Sequence, residues 1–269
     1  MDAKYSMQRR SISIWWPVER NIWRTSYSAF PKFPCPRCTT GRLTLVDNSR
    51  QTLEPEYSRR DRSDEFDLGP GSVAERFTCF LECGSAFCGE VVTVCGNVHR
   101  ESHDEYDELM EEVVTFNNTY YSPSAILPAP SVFSVSKSLS KECTAHIRKA
   151  FELLWVDPAS CANRIRIFVE YLLDQFQVPR VRASKKGDSY DMNLAQRIEV
   201  LEGSKPGHKK TFDALRNVGN YGSHSGNAKF DTLIDCFEIL EEVLKDLVDG
   251  RRSRLEKITE RLSAKGGEF

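Results

Sequence analysis

The first half of the chain carries a group of cysteines whose spacing is typical of a metal site. Two residues separate Cys35 from Cys38, and Gly41 follows shortly after. This spacing lets both sulfurs point at one centre while the turn directs backbone amides towards them. The same half of the chain contains four further cysteines, Cys79, Cys83, Cys88 and Cys95. A closed structural zinc site needs four thiolates, so two of these four would complete it.

Cys83 and Cys88 are the pair that we choose. Cys88 leads directly into a predicted strand, residues 90–94, as the second knuckle of a zinc ribbon does. Cys79 lies inside another strand pattern and Cys95 lies at the end of the last one, and either of them stays an alternative ligand.

The spacing of the second pair departs from a regular ribbon. Four residues separate its two cysteines, and the two knuckles lie 44 residues apart, with a polar, charged stretch between them. The alternative is a set of buried free cysteines without metal. Close cysteine pairs in a reducing compartment usually bind metal. We therefore predict one structural Zn²⁺ bound by Cys35, Cys38, Cys83 and Cys88.

A second group that could do chemistry lies in residues 212–226, where Arg216 precedes a glycine-rich stretch that contains His224. Histidine can move a proton near neutral pH, and arginine can hold a phosphate and stabilise its developing charge. With RNA, the 2′-hydroxyl supplies the nucleophile, so no metal is required. The spacing predicts Arg216 in the last turns of a helix and His224 on a turn beyond it. The alternative is an ion pair of Arg216 with Glu170 or Asp213, with His224 in a helix-ending turn.

The elements that must position these residues differ between the two halves of the chain. Residues 1–125 contain six of the nine cysteines and short β-type runs, and we interpret them as a zinc-ribbon-containing domain with a charged insertion. Residues 126–137 are rich in proline, which removes backbone donors and favours extended geometry, so we interpret them as a linker. The pattern of residues 138–264 predicts helices.

Hydrophobic periodicity predicts the individual elements. Short runs rich in β-branched or aromatic residues predict three strands, at residues 42–46, 76–81 and 90–94. Apolar residues at spacings of three and four predict five helices, at residues 140–156, 161–177, 193–202, 208–220 and 230–248. Asp157 and Pro158 form a start signal before the second of these helices. Five helices joined by short loops predict a bundle.

Two motifs in the helical half resemble a known bacterial family. They are Cys-Ala-Asn-Arg-Ile-Arg at residues 161–166, followed by Glu170, and Gly-Asn-x-Gly-Ser-His at residues 219–224. The family has no assigned function, often accompanies restriction and phage-defence genes, and is grouped with the HEPN-like helical bundles. Its members frequently carry an N-terminal zinc ribbon.

The resemblance implies an α+β protein with a small N-terminal zinc-ribbon β domain followed by an all-α HEPN-like helical bundle. It implies a homodimer and a metal-independent endoribonuclease that leaves 2′,3′-cyclic phosphate ends. The catalytic roles fall on Arg216 and His224, with Asn220, Arg166 and Glu170 in support. Related proteins separate the two catalytic residues by four to six positions, whereas seven intervene here.

The alternative function is a non-catalytic module that binds nucleic acid or protein in a defence or restriction complex, with a partner protein from a defence operon. The distribution of charge along the chain indicates where a nucleic acid could bind. The whole chain has 37 basic and 39 acidic residues, a net charge of −2, but residues 180–216 hold nine basic residues against five acidic ones. From this basic stretch we take as candidate nucleic-acid ligands Arg180, Arg182, Lys185, Lys186, Lys209 and Lys210.

The compartment follows from cysteine usage and hydropathy. No apolar run approaches the roughly 20 residues that a membrane helix needs. The apolar residues 12–18 are interrupted by Ser13 and Pro17 and lack the pattern of a signal peptide. We therefore expect a cytoplasmic protein that does not contact a membrane.

Overall fold

The computed structural model describes residues 18–38, 40–63, 73–107, 112–183 and 188–264. Its N-terminal half is an antiparallel sheet in which β1 and β2 both pair with β3, β3 pairs with β4, and β4 pairs with β5. The strands are β1 (Leu43–Leu45), β2 (Gln51–Leu53), β3 (Glu75–Cys83), β4 (Val91–Asp107) and β5 (Glu112–Leu127). The three predicted strands are confirmed as β1, β3 and the first part of β4.

The sheet buries one face because its side chains alternate with period two. On β3 the buried residues are Phe77, Cys79, Leu81 and Cys83, and the residues between them are exposed or half-buried. The polar stretch before β3 contains β2 and a short helix, α1 (Glu56–Ser63), for which the sequence showed no pattern.

Strands β4 and β5 are 17 and 16 residues long, about twice the length of β3. A register shift at Cys95 and Gly96 bends their pairing, and a Cβ on Gly96 would lie 2.1 Å from the Ser122 carbonyl oxygen, so only glycine fits there. The last β4 residue that pairs with β3 is Val98. Residues 99–107 and 112–120 therefore extend past β3 as a two-stranded ribbon, which we call the β-arm.

The described residues of the C-terminal half form six helices and one small hairpin. The predicted helices are confirmed as α2 to α6, whereas α7 and the hairpin were not predicted. Within the described part of the chain, none of the helices combines the length and apolar character needed to cross a membrane. The elements are α2 (Lys141–Val156), α3 (Pro158–Gln175), β6 (Val181–Ala183), β7 (Ser189–Asp191), α4 (Leu194–Ser204), α5 (Lys209–Ser225), α6 (Phe230–Leu247) and α7 (Arg251–Ala264).

Side-chain caps define where these helices begin. Ser140 accepts a hydrogen bond from the backbone N–H of Cys143, and Asp157 does the same for Ser160 with Pro158 in the first turn. At the start of α4, Asn193 forms a reciprocal capping box. Each of these caps satisfies backbone N–H groups that have no partner within the helix.

Sheet and helices share one hydrophobic core. The tryptophan of α2, Trp155, packs against Trp23 at 5.9 Å and Phe33 at 6.2 Å between ring centroids, and its indole N–H donates to the Arg24 carbonyl at 3.0 Å. Residues after β5 enter the same core, since Val132 and Phe133 are buried. The aromatic residues of the N-terminal segment therefore join the sheet to the helices.

The predicted architecture of a small zinc-ribbon domain followed by an all-α HEPN-like bundle is wrong. The N-terminal half is a five-stranded antiparallel sheet with long strands, not a small ribbon, and the β6–β7 hairpin interrupts the helices. The prediction missed the extent of β4 and β5 because most of their outer residues are exposed and polar and show no buried face. The α+β composition itself agrees with the structure.

Helices α3 and α5 approach each other closely at two glycines of α5. A Cβ on Gly219 would lie 2.4 Å from the Arg166 Cβ and 3.0 Å from the Ala162 carbonyl oxygen. A Cβ on Gly222 would lie 2.8 Å from the Ala162 Cβ. Both glycines therefore serve the packing of the two helices.

We expect Gly219→Ala to lower the free energy of unfolding by about 1–3 kcal/mol, because the added methyl group meets the Arg166 Cβ and the Ala162 carbonyl oxygen, which are both fixed to the backbone of α3. Gly203 in α4 is the matched control, since its Cβ would meet nothing within 4 Å. Gly203→Ala should stabilise the protein by up to about 1 kcal/mol through helix propensity. Denaturant unfolding measures both changes, and equal stability of the two variants would contradict this packing.

Candidate functional site

Two loops of the sheet bring four cysteines together. Cys35 and Cys38 lie in the loop before β1, which is closed by a hydrogen bond from the Cys35 N–H to the Gly41 carbonyl at 3.0 Å. Cys83 is the last residue of β3, and its N–H donates to the Glu90 carbonyl at 2.9 Å across the turn that holds Cys88. Because β1 pairs with the end of β3, the two loops face each other.

The geometry of the four thiols suits one metal ion. All four sulfurs lie within 4.8 Å of one another. The Cys35 and Cys88 sulfurs are 3.7 Å apart, and those of Cys38 and Cys83 are 3.6 Å apart. Four sulfurs at about 2.3 Å from a tetrahedral ion would be about 3.8 Å apart. The predicted set of ligands is therefore brought together and can bind a metal.

Backbone amides stabilise thiolates at this centre, as expected for a knuckle. The N–H of Arg37 points at the Cys35 sulfur at 3.4 Å, and the N–H of Gly41 points at the Cys38 sulfur at 3.2 Å. Burial raises the pKa of the Cys35 thiol. Burial also opposes ionisation of Cys38, but the Gly41 N–H and the Thr40 hydroxyl outweigh it and lower the pKa of Cys38 to about 6.

The other cysteines lie outside this cluster. Cys79 faces the core of the sheet, where burial raises the pKa of its thiol to about 11, and Cys95 lies at the β4 register shift. The structure thus favours Cys83 and Cys88 over both alternatives. The three cysteines of the helical half are buried in the core, Cys143, Cys161 and Cys236.

The structure places Arg216 and His224 on one continuous helix, α5. His224 was predicted on a turn beyond the helix, but it lies in the last turn, because the glycines before it pack against α3 instead of breaking the helix. Eight residues along an α-helix span about 12 Å. Arg216 is 3.3 Å from Asp213, and His224 is exposed and makes no hydrogen bond with the described residues.

The predicted supporting residues flank the contact between α3 and α5. Arg166 forms an ion pair with Glu170 at 3.1 Å, one turn along α3, and its Cβ faces Gly219. Asn220 follows Gly219 on α5 and is half-buried. The Nε atoms of Arg166 and Arg216 are both buried without a hydrogen-bond partner in the described residues. Arg166, Arg216 and Asn220 therefore lie near the contact between α3 and α5, while His224 lies further along α5.

Several of the predicted nucleic-acid ligands are engaged within the protein. Arg180 pairs with Asp174, and Lys209 pairs with Glu199. Arg182 and Lys210 are exposed. Lys185 and Lys186 lie outside the described residues.

Two charged side chains, Arg197 and Glu241, are buried, and neither was predicted from the sequence. Arg197 on α4 is 4% exposed and donates to Asp174 at 2.7 Å and to the Val178 carbonyl at 3.0 Å. It ties α4 and the chain before the β6–β7 hairpin to the end of α3. The sequence signal that could have predicted the burial of Arg197 is its position on the apolar side of α4, next to Ile198.

Gly41 leaves no room for a side chain beside the cysteine cluster. A Cβ there would lie 2.2 Å from the Cys83 sulfur and 3.2 Å from the Cys38 sulfur. We expect Gly41→Ala to displace Cys83 and abolish stoichiometric binding of Co²⁺, followed by its thiolate charge-transfer absorption. Gly84→Ala is the control, because its Cβ would meet only the Arg42 carbonyl at an ordinary 3.7 Å. Equal Co²⁺ binding by both variants would contradict the geometry of the site.

Comparison with known proteins gives two family matches. Residues 25–124, which span most of the sheet, match a family model described as a domain of unknown function, DUF8608. Residues 148–265, which span most of the helices, match a second one described as a domain of unknown function, DUF4145. No curated protein and no solved structure matches the chain. The chain is therefore similar to one uncharacterised family in its sheet and to another in its helices.

Proposed function

We propose that this chain is a zinc-stabilised protein-binding module, in which Cys35, Cys38, Cys83 and Cys88 hold one Zn²⁺. The convergence of the four sulfurs within 4.8 Å carries the metal assignment. Thiolates in a tetrahedral set favour zinc or iron–sulfur chemistry, and zinc is the common ion of closed structural Cys₄ sites. Four protein ligands would fill the coordination shell, so the ion has a structural role.

The proposed zinc joins parts of the sheet that are distant in sequence. It would link the loop before β1 to the end of β3 and to the turn that starts β4. Such a site rarely exists in an unfolded chain, so the free energy of metal binding contributes directly to folding. The turn end of the β3–β4 hairpin, opposite the β-arm, would therefore depend on the ion.

Binding of a protein partner is supported by the β-arm. Its side chains from His99 to Tyr106 are all exposed, and it presents Tyr106, Val113 and Phe116 outside the core. A nucleic-acid surface has less support, because Arg180 and Lys209 already pair with carboxylates. A role in phage defence rests on the sequence resemblance and stays a prediction.

The purified protein should contain one zinc per chain and no iron. We expect Cys88→Ser to lose the zinc and to lower the unfolding temperature, because three thiolates hold the ion more weakly and folding energy is lost with it. Cys95→Ser is the matched control, as Cys95 lies outside the cluster, and it should keep the metal. Elemental analysis and thermal unfolding measure these effects.

Iron in place of zinc would overturn the zinc assignment. Zinc retained at full occupancy by Cys88→Ser but lost from Cys95→Ser would overturn the ligand set.

A metal-independent endoribonuclease is the second candidate function. The observation in its favour is the α3–α5 contact, where Arg216 and Asn220 lie on the helix that packs against Arg166 and Glu170. Arg216 and His224 are about 12 Å apart along α5. This function would therefore need a dimer in which Arg216 of one chain lies beside His224 of the other.

A cleavage assay separates the two functions. The binding module predicts intact single-stranded RNA after incubation with the protein in EDTA, with the zinc content checked in the same sample. Cleavage that leaves 2′,3′-cyclic phosphate ends and disappears in both Arg216→Ala and His224→Ala would favour the ribonuclease instead. His99→Ala, an exposed histidine of the β-arm, is the control that should behave like the wild type.

A further inference from the structure

The β-arm continues β4 beyond its pairing with β3. The pairing of β3 with β4 ends at Glu75 and Val98, while β4 and β5 continue to pair as far as Asp107 and Glu112. Among the described residues, nothing pairs with the outer edge of β4 beyond Val98. A two-stranded ribbon is marginally stable in water, and a third strand stabilises it. The β-arm thus offers free backbone groups over nine residues, about 30 Å.

One face of this edge has a repeating pattern. Glu101, His103 and Glu105 project on the same side of β4, because alternate residues share a face. The His103 ring stacks on Phe116 of β5, with 5.4 Å between centroids. Two carboxylates therefore flank one aromatic pair, at intervals of two residues. The Glu101 carboxylate is 3.3 Å from His99, and both groups are more than half exposed.

The charge of the edge selects its partner. Glu101, Asp104 and Glu105 are exposed. The neighbouring cation, Arg100, is already paired with Glu75 at 2.6 Å. Like charges placed opposite one another destabilise a strand pair and opposite charges stabilise it. A second acidic β-arm would be repelled, as charged edges generally are protected from pairing with themselves, whereas a basic strand would be attracted.

We propose that the outer edge of β4 in the β-arm binds an extended, basic segment of a partner protein as an additional strand. Lysine or arginine of the segment lies opposite Glu101 and Glu105, and a β-branched or aromatic residue lies opposite His103. The backbone supplies affinity and the alternating side chains supply specificity. This inference rests on the proposed protein-binding function and names the chemistry of its partner.

A peptide titration of the full-length protein tests the proposal. The probe is the heptapeptide Thr-Lys-Thr-Val-Thr-Lys-Thr, which places both lysines and the valine on one face of a strand. NMR amide signals of residues 99–106 should shift on its addition. The control peptide Lys-Thr-Thr-Val-Thr-Thr-Lys has the same composition and charge but moves the lysines off that face, and it should bind at least about tenfold more weakly.

Protein variants isolate the edge. Glu101→Lys combined with Glu105→Lys should weaken binding of the probe by at least about tenfold. Glu256→Lys combined with Glu260→Lys makes the same change of charge on the exposed helix α7 and should leave binding unchanged. A probe in which the backbone nitrogens of residues two to seven are all methylated keeps its charge but has no edge that can complete the strand hydrogen bonds, so it should not bind.

Several results would overturn the inference. If the two heptapeptides bind equally well, or if the methylated probe binds as well as the unmethylated one, binding would come from general charge attraction and not from strand pairing. Single-stranded RNA that shifts the same signals would make the arm a nucleic-acid surface. If the protein contains zinc but does not bind the probe, this inference alone is overturned. If the protein lacks zinc or cleaves RNA, the proposed function is overturned.

Discussion

The structure depends on the convergence of four thiols at one edge of the sheet. They connect the loop before β1, the end of β3 and the start of β4. Strand pairing alone would leave two short strands, β1 and β2, on the edge of β3. A bound ion would fix these loops, and the aromatic contacts of Trp23 and Phe33 with Trp155 connect the same region to the helices.

Much of this arrangement could be predicted from the sequence, for identifiable reasons. The helices α2 to α6 carry apolar stripes with a period near 3.6, and Asp157 before Pro158 marks one start. The strands near the cysteines were recognised because they are short runs rich in β-branched or aromatic residues. The four metal ligands followed from the strand that succeeds Cys88, and the structure brings that same set together.

The parts that could not be predicted lack a local hydrophobic signal. The outer β4 and β5 residues form the β-arm without a core beneath them, so their polar sequence showed no strand pattern. The helix was predicted to end at residue 220, among the glycines, but packing of Gly219 and Gly222 against α3 carries α5 through His224. Arg197 is buried only because Asp174 and backbone carbonyls from α3 and the chain that follows it surround its guanidinium.

We propose that one zinc ion joins the loop before β1 to the end of β3 through four sulfurs. Zinc X-ray absorption spectroscopy of the purified protein would measure this coordination. We expect a first shell of four sulfur atoms at about 2.3 Å and no nitrogen or oxygen ligand. A shell with fewer sulfurs, or with an oxygen or nitrogen atom in place of a thiolate, would contradict it.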